Sequence, residues 1–321
     1  MRRTIPPSTK TPISIIWNPT AGSGRALRRW SVCAKELGQH RLSIDAHMTE
    51  RPGHASELAA RAVQDGRYRI AAFGGDGTLH EVLQGLIVDD VLRHPEIQVV
   101  YLPAGSSCDF AKRLPTGASA LQRLTAFSIH HFDLIRIECH SENGAPAKSY
   151  ALSGSHVGVA SLAAQRINQQ TGIMGAIKRL SIDASALVAV AASHASFGGR
   201  QYQITIDDRP VEAARWVDWM VCKSPYVIGG MHLGVSISPD DGCMHAVGLR
   251  QQSLFRFLRF LPALYRGQAI RHADVCHRVC RSISVSTNPP TPVEADGEIV
   301  GMTPVRYTIL PQVLPIVVPE A

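Results

Sequence analysis

Glycines, small hydroxyls and carboxylates suited to handling a phosphate recur at four places in this chain. The sharpest is Gly74-Gly75-Asp76-Gly77-Thr78, followed by Leu79 and His80. Glycines lack a Cβ, so backbone N–H groups can approach a phosphate closely, and a helix starting just after adds positive potential. Asp76 would repel a bare phosphate, which points to a metal ion, a ribose hydroxyl or a network of donors beside it. The same residues also suit a tight strand-to-helix turn, but the strand before and the helix signal after favour a phosphate loop. Asn18-Pro19-Thr20-Ala21-Gly22-Ser23-Gly24 is a second strand-to-helix junction, and by itself it reads equally as an Asn-Pro turn with Ser23 near the cap. Gly105-Ser106-Ser107-Cys108-Asp109 is the third. In Asp296-Gly297-Glu298 two readings stay open. Asp-Gly is a favoured hairpin turn, and a hairpin tip with two carboxylates could accept a hydroxyl proton.

The elements around these residues alternate. Ile13 to Trp17 is a short apolar run that stops at Asn18-Pro19, and a basic helix follows from about Arg25 to Leu37. A strand passes through Leu42, Ile44 and Ala46. Ala55, Leu58, Ala59, Ala62 and Val63 then repeat with helical spacing before Gly66. Ile70 to Phe73 leads into the first glycine loop. Thr78 and Glu81 have capping-box spacing, which predicts a helix starting at Thr78 with Leu79, Val82, Leu83, Leu86 and Ile87 on its apolar face. Ile97 to Leu102 is a further strand. This rhythm predicts an α/β fold with an open, mainly parallel sheet flanked by helices, and ligand sites at the carboxyl ends of its strands.

After about Phe132 strands dominate: Phe132 to Ile137, Tyr202 to Ile206, Trp216 to Cys222, Ile283 to Val285 and Val305 to Ile309. Helical stretches near Gly175 to Ala192 and Leu254 to Tyr265 interrupt them. The expectation is a nucleotide-binding domain over 1–131 and a β-rich, sandwich-like domain over 132–321, with the extreme C-terminus returning to the first.

The 321 residues suffice for two cores, and 45% hydrophobic with 18% charged is a globular balance. A formal net charge of +7 suits an anionic partner, whether nucleotide, nucleic acid or acidic membrane surface. The first ten residues have no apolar core of a secretory signal, and the apolar stretch around Ala184 to Ala192 is too short to span a bilayer. Seven scattered cysteines argue against a disulfide framework and for a reducing cytosol. His272, Cys276, His277 and Cys280 invite a zinc reading, but on a strand these side chains would alternate between faces. Leu254 to Leu261 could touch a membrane, with phenylalanines to insert and arginines for headgroups; packing on the second domain is the favoured reading.

Taken together, Asn18-Pro19-x-x-Gly22, Thr49 before Gly53-His54-Ala55, Gly74 to Thr78, Pro103-x-Gly105-Ser106 with Asp109-Phe110-Ala111, and Asp296-Gly297-Glu298 resemble the diacylglycerol kinase catalytic family. That family includes soluble bacterial lipid kinases and the related sphingosine and ceramide kinases. The resemblance implies transfer of the γ-phosphate of ATP to a lipid hydroxyl of diacylglycerol or a related glycerolipid or sphingoid. It implies that ATP lies against Asn18, Pro19, Thr20, Ala21, Gly22, Thr49, Gly74 to His80 and Ser106, in a cleft between two domains. Glu298 matches the family's proton acceptor, with Asp296 beside it. Ser238 to Cys243 resembles a loop holding a structural Mg²⁺, with Asp241 as carboxylate ligand and carbonyls of Ser238 and Cys243 as neighbours. The implied partner is lipid at a membrane surface, with no nucleic acid, for a cytoplasmic protein touching the inner membrane face; a homodimer is admitted. Three positions depart from the family. Cys108 stands where Asn is common, His80 replaces an Asn, and Lys223-Ser224 stands where an Asn is common before Tyr226 and Gly229-Gly230. Two other classes stay open: a soluble-substrate kinase resembling NAD kinase, and a non-catalytic lipid- or nucleotide-binding relative.

Overall fold

The computed structural model describes residues 12–40, 42–168, 189, 192–194, 197, 199–227 and 231–319. The chain divides into two units. The first takes the described residues up to Phe132 and those from Gln312 onward, and the second is Asp133–Pro311.

Apolar runs flanked by turn residues build the first unit. Strand β1 (Ile13–Trp17), helix α1 (Arg25–Gly38), β2 (Ile44–Met48), α2 (His54–Gln64), β3 (Arg69–Gly74) and α3 (Asp76–Leu86) follow in order. A small hairpin, β4 (Ile87–Val88) and β5 (Val91–Leu92), precedes β6 (Gln98–Pro103) and α4 (Ala120–Thr125). β1 pairs in parallel with both β2 and β3, and β3 pairs in parallel with β6. All six residues of β3 are buried, as a central parallel strand requires. Ile15, Ala71, Phe73, Val100, Leu102 and Val317 share one apolar cluster with Leu37 of α1. Each large aliphatic side chain so buried contributes roughly 1.5–3 kcal/mol.

Helices α2 and α3 pack closely enough to exclude a methyl group. A Cβ on Gly85 would lie 2.1 Å from the carbonyl oxygen of Ser56. Helix propensity alone would make Gly85→Ala stabilising by up to ~1 kcal/mol. The clash is with backbone, which cannot swing aside, so the expected result is a net loss of about 1–3 kcal/mol in denaturant unfolding. A variant as stable as the parent would mean that α2 and α3 can separate freely.

The second unit is β-rich. Its elements are β7 (Ser128–His140, beginning in the first unit), β8 (Pro146–Ala151), β9 (Gly154–Gly158), α5 (Val159–Asn168), β10 (Arg200–Ile206), β11 (Arg209–Pro210) and β12 (Arg215–Cys222). There follow β13 (Tyr226–Val227), β14 (Met231–His232), β15 (Met244–Arg250), α6 (Leu254–Tyr265), β16 (Val275–Cys280), β17 (Ser282–Thr287), β18 (Pro292–Ala295) and β19 (Glu298–Val318). The order β11-β10-β12-β9-β18-β19 runs through its sheet, with β15 and β16 alongside β12. Trp216 and Trp219 are fully buried and meet edge to face at 4.9 Å. The end of β19 pairs in parallel with β6 through Ile316 and Val99.

The expectation of a mainly parallel sheet needs a correction of scope. Parallel pairing among the described strands is confined to the first unit, and over all the described strands most pairings are antiparallel. The reason is connection length: hairpin turns such as Asp207-Asp208 and Asp296-Gly297 join neighbours that must run antiparallel. All four of those residues have positive φ, between 45° and 99°. The helix expected near Gly175 to Ala192 lies outside the described residues except Ala189 and Ala192, which are helical. Gly229-Gly230 lies outside them too.

Helix α6 packs as a core helix. Phe257 and Phe260 are buried, Arg256 pairs with Asp274 at 3.2 Å, and Phe255 is exposed. No described helix is long and apolar enough to cross a membrane. Of the suspected zinc ligands, His277 faces His245 at 3.0 Å, and no metal-holding group of His, Cys, Asp or Glu occurs among the described residues.

Candidate functional site

In the first unit the sheet ends in three loops that touch. Gly74 and Pro103 are register partners at the ends of β3 and β6. The Gly74 carbonyl accepts hydrogen bonds from the N–H groups of Ala104 (2.7 Å) and Gly105 (3.1 Å). Gly75 and Gly105 then meet backbone to backbone: a Cβ on Gly105 would lie 2.4 Å from the Gly75 Cα. The Asn18 loop closes on the same point. Gly22 has φ of +61°, and a Cβ there would lie 3.0 Å from the Ala104 carbonyl oxygen. Asn18 folds its own turn by accepting from the N–H (2.9 Å) and hydroxyl (2.8 Å) of Thr20.

Helix α3 begins at Asp76, two residues before the capping box predicts. Gly75 is its N-cap, and no side chain caps the first turn. Thr78 is buried instead against Gly74, where a Cβ would lie 2.3 Å from its hydroxyl oxygen. The Glu81 carboxylate accepts from the Ala55 N–H at 3.2 Å, so it caps α2 rather than its own helix. The spacing was right for a box; the tertiary neighbours took both side chains.

Asp76 sits in a network of donors. Its carboxylate accepts from the Tyr101 hydroxyl (3.2 Å) and from the N–H groups of Asp109 (2.8 Å) and Phe110 (3.3 Å). Of the three readings of this aspartate, this is the one the geometry displays, and it ties the third loop to the first. Burial, reinforced by the Asp76 charge, pushes the Tyr101 phenol far up, so it remains a donor. Cys108 has a positive φ of 46°, a conformation that Asn adopts more readily. Burial pushes its thiol up, which keeps it protonated.

Ser106 is exposed beside these loops, whereas Leu79 and His80 are buried within the unit. Thr49 is buried, its N–H donating to the Trp17 carbonyl at 2.9 Å. Two arginines of α1 that the motifs did not single out reach this cluster. Arg25 donates to the Gly22 carbonyl (3.0 Å) and Arg29 to that of Pro103 (3.3 Å). Their signal in the sequence was the basic start of that helix.

In the second unit the hairpin between β18 and β19 separates its two carboxylates. Asp296 accepts from three N–H groups, those of Leu152 (2.8 Å), Ser153 (2.8 Å) and Gly154 (3.1 Å). Glu298 is exposed. Asp296 therefore holds the hairpin, and Glu298 is the carboxylate presented outward.

Behind this hairpin lies a buried polar group that the sequence reading missed. His156 Nδ1 lies 3.1 Å from Asp218 Oδ2, and Glu294 is the register partner of His156. Glu294 accepts from the Gly297 N–H through one oxygen, while its other oxygen is buried with no hydrogen bond among the described residues. Burial, with the charges of Asp296 and Asp218, pushes Glu294 up to about 7 against the opposing His156 charge and Gly297 bond. Burial works against the charged form of His156, but the Asp218 hydrogen bond and the neighbouring carboxylates outweigh it and raise the imidazole. Asp218 is raised by burial, with His156 opposing. Polar residues inside otherwise apolar strands were the available signal. A carboxyl raised on folding stabilises most below its unfolded value of 4.5, and that stability is lost as pH rises through about 7. Glu294→Gln should thus gain in melting temperature relative to the parent as pH rises across that window. Parallel profiles would mean that Glu294 titrates normally.

Asp218 also lines an apolar pocket, together with Val159, Met231, Leu233, Val247, Phe257 and Phe260.

The residues of the Ser238–Cys243 loop do not fit a magnesium ion. The Lys223 ammonium stands among them, 2.5 Å from Asp241, and Ser238 turns its hydroxyl to Asp240 at 2.7 Å. Burial works to raise the Asp241 carboxyl, but the Lys223 hydrogen bond and the Cys243 N–H hold it below the usual value.

An α/β unit with glycine loops at its strand ends, followed by a β-rich unit, defines a two-domain class also seen in solved structures. The chain shares its fold with "a putative diacylglycerol kinase from Bacillus anthracis str. Sterne", with a TM-score of 0.70 at 19% identity over 96% of this chain and 97% of that one. Residues 12–137 match the diacylglycerol kinase catalytic domain, and residues 155–318 match the YegS C-terminal NAD kinase beta sandwich-like domain. The chain belongs to this diacylglycerol kinase family. Among curated relatives, "Putative lipid kinase YtlR" of Bacillus subtilis (strain 168) is 28% identical over 93% of this chain and 97% of its own length. "Putative lipid kinase SAS0691" of Staphylococcus aureus (strain MSSA476) is 25% identical over 75% of this chain and 74% of its own.

Proposed function

We propose that this protein transfers the γ-phosphate of ATP, supplied as its Mg²⁺ complex, to the hydroxyl of a membrane lipid such as diacylglycerol or a related glycerolipid or sphingoid. The observation that carries this reading is the meeting of three glycine-bearing loops at the uncapped start of α3. Such a surface offers backbone donors and a helix N-terminus to a polyphosphate. Phosphoryl transfer asks mainly for positioning and charge stabilisation. Gly75 and Gly105 leave room for the phosphates, Asp76 fixes the loops through its three donors, and Arg25 and Arg29 add positive charge. Glu298 accepts the proton of the attacking lipid hydroxyl, and Asp296 keeps its hairpin in shape. The apolar pocket beside Asp218 supports an acyl-bearing acceptor, and the net positive charge supports work at an anionic membrane surface.

The test is a labelled-ATP assay over diacylglycerol, phosphatidylglycerol, ceramide, sphingosine and NAD presented separately. Label in one of the lipids is expected. Label in NAD alone would make the protein a soluble-substrate kinase, and label in none of them would overturn the proposal.

A further inference from the structure

The position that the family resemblance gives to a structural Mg²⁺ is filled from within the chain. Lys223 is fully buried, at the end of the strand run that includes β12. Its Nζ lies 2.7 Å from Asp133 Oδ2, 2.5 Å from Asp241 Oδ1 and 2.6 Å from the Cys243 carbonyl oxygen. An ammonium carries three N–H donors and no acceptor, so three converging oxygens satisfy it completely. The surrounding chain holds those oxygens in place. Asp133 also accepts from the Gly242 N–H (2.8 Å), its own N–H donates to the Pro239 carbonyl (2.8 Å), and Asp241 accepts from the Cys243 N–H (3.0 Å).

Without the amine, the same position has two carboxylate oxygens and a carbonyl oxygen directed at one point. That is the donor set of a hard divalent cation. An Asn at position 223 would add a fourth oxygen and no charge. The lysine supplies a charge of one where a magnesium ion supplies two, and it is covalently attached, so it cannot dissociate or be chelated.

We infer that Lys223 is a tethered replacement for a structural divalent cation, which frees the fold of this unit from metal, and that removing its amine opens a divalent-cation site between Asp133, Asp241 and Cys243. The inference concerns folding rather than catalysis, so its test needs neither ATP nor lipid.

Thermal melting is read for the full chain in chelator, in magnesium chloride and in calcium chloride, with no nucleotide present. The parent should melt at the same temperature in all three. Lys223→Asn should melt lower in chelator by on the order of 10 °C, because the fully buried Asp133 carboxylate and the exposed Asp241 beside it lose their cation. Either metal should restore most of that loss through binding to the folded state. Lys223→Met should drop similarly in chelator but stay low with metal, since its side chain still occupies the position. A metal-dependent shift in the parent that Asp241→Ala abolishes would overturn the inference. So would a Lys223→Asn variant that is unaffected in chelator, or one that is lowered but unresponsive to either metal. Should Lys223→Asn fail to fold under all conditions, Lys223→Asn with Asp241→Asn removes the charge demand. Folding of that double variant supports the cation role, and its failure shows that the lysine serves packing instead.

Discussion

Replacing Glu298 by Gln should lower the turnover of the proposed lipid phosphorylation by ~10²–10⁴-fold, the usual contribution of a general base. The substitution keeps the size of the side chain and removes its basicity. Glu298 is exposed at the hairpin, so the melting temperature of the variant should match that of the parent. ATP affinity should change little, because the glycine loops belong to the first unit. Asp296→Asn behaves differently. Its carboxylate accepts three N–H bonds from residues 152–154, and an amide would turn a donor toward donors. That variant should lose stability, with activity falling only as far as its folded fraction falls. If folded Asp296→Asn loses turnover while Glu298→Gln keeps it, the roles of the two are reversed. If both folded variants keep turnover, the hairpin has no part in proton transfer.

Gly75→Val is expected to remove most ATP affinity and to leave the fold intact. Gly75 has an ordinary φ of −89°, and a Cβ there lies 3.4 Å from the Gly105 Cα, an ordinary contact. The backbone can therefore accept a side chain, but the added methyl groups occupy the space a phosphate needs. Losing one or two charge-assisted backbone hydrogen bonds, each about 1.5–3 kcal/mol, weakens binding by roughly 10- to 10,000-fold. Calorimetric titration with ATP alongside a circular dichroism spectrum separates this from unfolding. An unchanged affinity in a native-like variant would place the nucleotide elsewhere. Gly105→Ala is the contrasting case, because its Cβ would meet the Gly75 backbone at 2.4 Å and disturb the loops themselves.

The parts of this protein that the sequence made legible are those whose cause is local. Ile13–Trp17 and Arg69–Gly74 announce themselves as strands because parallel strands buried on both faces read as short apolar runs. The glycine loops are equally plain, since glycine suits the tight backbone approaches at Gly22 and Gly105. What escaped depends on partners far along the chain. Thr78 and Glu81 matched a capping box, yet one packs beneath Gly74 and the other caps a different helix. His156, Asp218 and Glu294 come together only through the pairing of β9 with β12 and β18. Lys223 was visible as an odd residue at its position, but its meaning required Asp133 and Asp241.

Strand β19 has a consequence for biosynthesis. Most of it belongs to the second unit, but its residues from Gln312 onward belong to the first, where Ile316 lies against Val99 of β6. On the ribosome, the first unit thus emerges with β6 as a raw edge. It stays so until the whole second unit has been translated, on the order of ten seconds or more at common elongation rates. An open parallel edge is a template for association with other nascent chains. The late arrival of β19 makes this edge a place where a holding chaperone would matter, and a truncation just before Gln312 would leave a complete second unit and an unfinished first one.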